Sequence, residues 1–246
     1  VKMKAITVAR QVGSWGDYIG INVAKAIGMR YIDRETITEA AERAGITESS
    51  IERMESPAGL LGRLVNAISG MPTVPSVASQ AMRFSEIHSL VATVDERVQK
   101  LTQEGFTPTE AARHILAMRF PEVRTKKHDY ASLIRSVVEE FADTGNVVLA
   151  GSGSRMILKD RPDVLHVLIV APVDTRIKAI MEQEGVSRKV SERRVKENDE
   201  ARAAFFKNNF NVNWLDTILY DMVINTGRIS KDLAVELIVK TAQNFS

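Results

Sequence analysis

The sequence predicts an α/β fold, a mostly parallel sheet of five strands covered by helices on both faces, and three observations carry it. Short β-branched apolar runs alternate with segments of helical period, the pattern of parallel strands joined by crossover helices. Two runs, 146–150 and 164–170, are almost continuously apolar, as strands buried on both faces are. The first run leads through a glycine-containing loop straight into a helix. The 246 residues, 44% of them hydrophobic, suffice for one domain, or for one domain carrying an insert.

Ala5-Ile6-Thr7-Val8-Ala9 is the first strand. Gln11-Val12-Gly13-Ser14-Trp15-Gly16 follows as a loop. Ile19, Ile21, Val23, Ala24 and Ile27 then recur with a helical period, and Gly28 stands where that helix stops. Tyr31-Ile32-Asp33 reads as a second strand, with a helix over about 35–44. Segment 51–129 breaks the alternation. It carries Pro57, Gly59, Gly62, Gly70, Pro72 and Pro75, then predicted helices around 85–104 and 108–119. Met54, Met71, Met82 and Met118 suit ordinary packing, an adaptable groove or a homo-oligomer surface. This segment is expected to be a helical insert in a single domain whose core is 1–50 and 130–246. From 130 the alternation resumes, with Leu133, Ile134, Val137, Val138 and Phe141 on one helical face. Strands at 146–150, 164–170 and 220–225 and helices at about 174–184, 188–208 and 230–243 complete the chain. Ligands of such sheets sit beyond the carboxyl ends of the strands, so the loops at 10–17, 33–35, 151–155 and 171–176 are expected to share one edge.

Composition removes several chemistries. Cysteine is absent, which excludes disulfides, a thiolate nucleophile and Cys-ligated metal. The four histidines, at 88, 114, 128 and 166, lack metal-ligand spacing, and His166 inside an apolar strand reads as a core residue. A net charge of +2 gives no global basic excess of the kind a dedicated nucleic-acid binder shows. No stretch has the apolar length of a membrane span, and the start is too quickly polar for a signal peptide. The expected setting is the cytoplasm, for a chain starting near its natural beginning.

A glycine loop between a first strand and a helix is where phosphate is cradled by backbone N–H groups and a helix N-terminus. The full pattern is G-x-x-x-x-G-K-[ST]. Here Gly16 takes the second glycine, but Gln11 stands at the first, Asp17 at the lysine and Tyr18 at the Ser/Thr. The loop is therefore either a phosphate cradle or a plain turn that packs helix on strand. A second basic feature lies at 187–209, where seven Lys and Arg face four Asp and Glu. Arg194, Asn198 and Arg202 are four apart and share a helical face. That segment is either a solvated helix laced by ion pairs or a cover for anionic groups.

Five stretches resemble the cytidylate kinase-like family of P-loop nucleoside-monophosphate kinase relatives. Ile6 to Gly16 is similar to its opening I-[ST]-x-[SA]-R-x-x-G-S-G-G, and Tyr31-Ile32-Asp33-Arg34-Glu35 to its Y-x-D-R-E. Asn146 to Leu158 resembles its G-R-G segment. Arg161 to Arg176 resembles its next strand and the base of its lid. Asp199-Glu200-Ala201-Arg202, with Phe205, Phe206, Trp214 and Tyr220 to Thr226, resembles its D-x-x-R lid and last strand. Trp15 replaces a usual loop glycine, and Ser152 replaces the G-R-G arginine.

The resemblance implies a P-loop NTPase-type three-layer fold with a helical lid at about 185–215. It implies transfer of the ATP γ-phosphoryl group to a nucleoside monophosphate, CMP or dCMP, with ATP and Mg²⁺ as cofactors. Small-molecule nucleotides are then the partners. Gly13, Ser14, Trp15, Gly16 and Asp17 would cradle phosphate. Arg10 would stand in for the loop lysine, the other reading being an ion pair with Asp17 or Asp33. Arg176, Arg194, Asp199 and Arg202 would act from the lid and its base. Asp33 and Arg34 would meet the acceptor, although Asp33 is equally placed to cap a helix. Arg155 would replace the arginine absent at 152. Mg²⁺ would be held mainly by phosphates and water, with Ser14 the one loop hydroxyl placed to help.

Overall fold

The computed structural model describes residues 3–44, 57–75, 127–151 and 153–245. Five strands are formed: β1 (Ala5–Arg10), β2 (Arg30–Ile32), β3 (Val147–Ala150), β4 (Val164–Val170) and β5 (Met222–Asn225). They lie in the order β2-β3-β1-β4-β5, and every pairing is parallel. β1 is central, pairing Ala5 with both Val147 and Val164, and its first five residues are buried. Because all strands run one way, Gln11, Asp33, Gly151, Ala171 and Thr226 emerge on the same edge, as the alternation implies.

The helices are α1 (Gly16–Ile27), α2 (Arg34–Arg43), α3 (Pro57–Ser69), α4 (Lys127–Thr144), α5 (Ser154–Ile157), α6 (Val173–Glu184), α7 (Arg188–Phe210) and α8 (Lys231–Gln243). Side chains alternate along β1, so Ile6, Val8 and Arg10 face one way and Ala5, Thr7 and Ala9 the other. Gly20 of α1 lies close to the Val8 side chain on the first face. On the second, Ala9 and Leu168 pack with Met156 of α5, Phe206 of α7, Trp214 and Tyr220. α1 ends at Gly28 with φ 67°, its N–H returned to the Ala24 carbonyl.

Chain contacts divide the protein into two compact units, Val1–Thr38 with Arg135–Ser246, and Glu39–Ile134. The second contains α3, which the proline- and glycine-rich sequence does not predict. Pro57 opens that helix, where a missing N–H is harmless, and Leu64 and Ile68, four apart, are buried. The helices expected at 85–104 and 108–119 lie outside the described residues, as do Met54, Met82 and Met118. Among the described residues no helix is long and apolar enough to cross a membrane.

His166 is buried in β4, and its Nδ1 is 2.7 Å from Thr7 Oγ1 in β1. Burial, helped by the Arg155 charge, pushes its pKa down to about 4. The unfolded chain binds the proton near pH 6.5, so between pH 6.5 and 4 it holds more protons than the folded state. Stability therefore falls as the medium is acidified through that window. Denaturant titrations at pH 7 and pH 5 are expected to show a His166 contribution of about 2 kcal/mol to that loss. His166→Gln should remove this part of the pH dependence; an unaltered slope would exclude His166 as its source.

Candidate active site

Backbone and side-chain bonds knit the loop after β1 to its neighbours. Gln11 N–H donates to Ile169 O at 3.0 Å, and Gln11 Oε1 accepts from Ala171 N–H at 3.1 Å. Thr226 Oγ1 donates to Ser14 O at 3.0 Å. The residue in the first-glycine slot thus serves as a brace between β1 and β4. Gly13 is required twice over: its φ is +75°, and a Cβ there would stand 2.5 Å from the Arg176 carbonyl oxygen. Ser14 is fully buried and donates its hydroxyl to Gln11 O at 2.7 Å.

Trp15 is the N-cap of α1 and adopts φ 63°, ψ 13°, with no side-chain cap on the helix. The other non-glycine residues at positive φ among those described are Asn146 and Asn211. Asparagine tolerates this region; for tryptophan it costs roughly 1–2 kcal/mol. The amides of the first turn of α1 are left open by the missing cap, in the arrangement that receives anions.

Arg10 lies at the carboxyl end of β1, and its side chain is 14% exposed. Its Nε and Nη2 both reach Asp17 Oδ1, at 2.8 and 2.6 Å. A methyl group on Gly16 or Gly151 would overlap the Arg10 side chain, so small residues enclose it on both sides. Burial opposes the Arg10 charge, but Asp17, Tyr31 and Asp33 outweigh it and hold the guanidinium above its ordinary pKa. Asp17, in the lysine slot, is therefore the partner of the arginine expected to replace that lysine. Tyr31 OH also donates to Asp17 Oδ1, at 3.3 Å.

α7 brings further arginines. Arg202 Nη1 donates to Arg10 O at 2.7 Å, and its guanidinium lies 5.1 Å from the Trp214 ring centroid. Burial, then the Arg10 charge, lowers its pKa to about 10. Arg176 of α6 is 2% exposed and grips Asp199 of α7 through a two-pronged fork, at 2.9 and 2.7 Å. Ile177, Ile180 and Val195 pack the same two helices together, with Val12 of the loop against them. Arg194, eight residues before Arg202 on the face shared with Asn198, is ion-paired with Glu184 at the end of α6. Burial lowers its pKa.

The remaining predicted residues are placed as follows. Asp33 is buried, and its Oδ1 accepts from Thr36 N–H and Thr36 Oγ1, both at 2.7 Å, so it caps α2. Arg34 is exposed at the start of that helix. Arg155 Nε donates to Leu219 O, and the guanidinium lies 6.0 Å from the Tyr220 ring centroid. Arg155 is thereby engaged with the turn before β5. Ser152 lies outside the described residues. No group of three His, Asp or Glu among the described residues stands close enough to hold a metal ion.

The profile of the cytidylate kinase-like family matches residues 5–228. The chain belongs to the cytidylate kinase-like family. Its five parallel strands, with a glycine loop between the central strand and α1, make the α/β fold that the sequence predicts. The family's curated relatives include a cytidylate kinase of Methanopyrus kandleri, 28% identical over 101 residues, and one of Methanocaldococcus jannaschii, 32% identical over 92. These matches cover 38% and 36% of this chain and 52% and 51% of theirs. The chain thus spans about half the length of the curated relatives it matches. Among solved structures, an uncharacterized protein from Eubacterium ventriosum shares the fold with a TM-score of 0.57, at 19% identity and over 99% of both chains.

The braces Gln11 and Thr226 were not among the predicted site residues, though Thr226 follows directly on the last strand. The Arg176–Asp199 fork sets a testable value. Removing one partner of a largely buried pair leaves an uncompensated charge. Asp199→Ala is expected to lower stability by about 2 kcal/mol, less than a fully buried pair because Asp199 is 33% exposed. Arg176→Met together with Asp199→Leu should recover part of that loss. Equal melting temperatures for wild type and Asp199→Ala would show that the fork holds nothing.

Proposed function

We propose that this chain transfers the γ-phosphoryl group of Mg·ATP to a nucleoside monophosphate, with CMP or dCMP as acceptor. One observation carries the reading: an uncapped α1 whose amides open at the carboxyl edge, flanked by the Arg10 and Arg202 guanidiniums. Positioning and charge neutralisation are what phosphoryl transfer demands of a protein. Mg·ATP supplies the transferred group, with the divalent ion held by phosphates and water.

In this reading the amides of Gly13 and of Trp15 to Asp17 donate to phosphate oxygens, while the Ser14 amide closes the loop onto Gln11 O. Arg10 takes the loop lysine's part by exchanging Asp17 for phosphate, and Arg202 adds a second cation from α7. Arg176 and Asp199 hold α7 against α6, and Arg194 adds charge farther along a lid at about 185–215. Asp33 and Arg34 stand on the acceptor side, with Arg155 at its rim. The protein works in the cytoplasm on small-molecule nucleotides.

A second reading is a catalytically degenerate relative that binds nucleotide and regulates or scaffolds. It is favoured by the engagement of three candidate arginines with carboxylates: Arg10 with Asp17, Arg176 with Asp199 and Arg194 with Glu184.

Purified protein is incubated with Mg·ATP and, separately, CMP, dCMP, UMP, AMP and GMP, and ADP and diphosphate are measured. Turnover is expected with CMP or dCMP. ATP binding without turnover on any acceptor would leave the degenerate reading standing. Arg10→Ala, checked for an intact circular dichroism spectrum, should lower kcat/KM by at least about 100-fold. An unchanged rate would refute Arg10 as the lysine substitute.

A further inference from the structure

Trp15 is held in the left-handed region at the point where the phosphate loop becomes α1. Such a conformation in a bulky residue persists only when its surroundings over-determine it. Those surroundings are Tyr18 of α1 and a charged pair, Lys231 and Asp232, from the far end of the chain. Lys231 Nζ lies 3.9 Å from the centroid of a Trp15 ring and 4.6 Å from that of Tyr18. Tyr18 meets Trp15 edge-on, with centroids 6.2 Å apart, and its hydroxyl donates to Asp232 Oδ1 at 2.7 Å. An ammonium over an indole face is the strongest of the side-chain cation–π pairings for lysine.

Lys231 is itself well fixed. It is the first residue of α8, behind the cap Ser230, whose hydroxyl accepts from Leu233 N–H at 3.2 Å. The connection leading to it is tied to the loop by Thr226 Oγ1 on Ser14 O. The end of β5 and the start of α8 therefore clamp the loop at both Ser14 and Trp15. A glycine at position 15 needs no clamp, because it enters this region freely.

We propose that Lys231 is a positioning residue for the phosphate loop: its ammonium, laid on the Trp15 indole, keeps Trp15 left-handed and so sets the first-turn amides of α1. The effect on nucleotide rests on the reading of that turn as the ATP phosphate site. The clamp itself is a property of the free protein.

Two measurements on the protein test it. In the free protein, Trp15 emission is taken as the difference between wild-type and Trp15→Phe spectra. Lys231→Met is expected to shift that emission and Lys231→Arg to preserve it; an unshifted Lys231→Met spectrum would overturn the clamp. In calorimetric titration with Mg·ATP, Lys231→Met should weaken Kd about fivefold, with Lys231→Arg near wild type. In a Trp15→Gly background, Lys231→Met should change Kd by less than about twofold, since the lysine acts through the tryptophan. A fivefold loss in both backgrounds would overturn positioning in favour of direct phosphate contact. If wild-type protein binds no Mg·ATP, the kinase and nucleotide-binding readings fail, and the emission shift alone decides the clamp.

Discussion

The Arg10 guanidinium, buried at the carboxyl end of the central strand, constrains everything around it. A cation taken out of water must be matched by charge and by hydrogen bonds, or it destabilises the fold. Asp17 supplies the charge through two contacts, and its place in the first turn of α1 fixes how that helix leaves the loop. Gly16 and Gly151 give the side chain its space. Arg202 holds the Arg10 carbonyl, so the same residue also anchors α7. The sheet, the loop, α1 and α7 meet on this one side chain. Gly151, which follows β3, is required here by the bulk of its neighbour as well as by its own φ of +73°.

The second organising principle is the pairing of charge on α7. Its sequence carries an excess of basic residues, yet the inward-facing ones have partners. Arg176 with Asp199, Arg194 with Glu184 and Arg202 with a backbone carbonyl tie α7 to α6 and to β1. Apolar contacts reinforce both ends: Val195 against Ile177 and Ile180, and Phe206 stacked on Trp214 with centroids 5.9 Å apart. A phosphate reaching Arg10 or Arg176 would have to outcompete a carboxylate already in place. Of the two, the exchange at Arg176, whose partner Asp199 lies on α7, would couple phosphate binding to the position of that helix.

Periodicity made most of the core legible. The strands and the helices packed on them follow two simple repeats, and Gly28 marks its helix end by the expected left-handed cap. α3 was hidden because Gly59 and Gly62 lower helix propensity, while the spacing of Leu64 and Ile68 that forms its buried face is short. The site was less legible than the fold. Asp33 has two readings in the sequence, acceptor contact or helix cap, and only the distance to Thr36 shows the cap. Arg155 lies beside the family's arginine position in sequence, but its side chain is drawn to the Leu219 carbonyl. Lys231 carries no local signal at all, since its partner is more than two hundred residues away.

Trp15 shows why the loop pattern alone could not settle the matter. Matched letter by letter, the loop fails at the first glycine, the lysine and the hydroxyl. The structure gives each of these positions a different set of contacts. Gln11 replaces the flexibility of a glycine with a brace to Ala171. Arg10 brings a cation to the lysine's neighbourhood from the strand rather than from the helix. Tyr18, in the hydroxyl slot, faces Asp232 and Lys231 at the start of α8. The open first turn of α1 survives all three substitutions because it depends on backbone conformation, which Gly13 and Trp15 set, and not on side-chain identity. What the letter pattern cannot show is where the amides of the loop point. In this chain that direction is held by contacts from β4, β5 and α8, so substitutions far from the loop in sequence act on it directly.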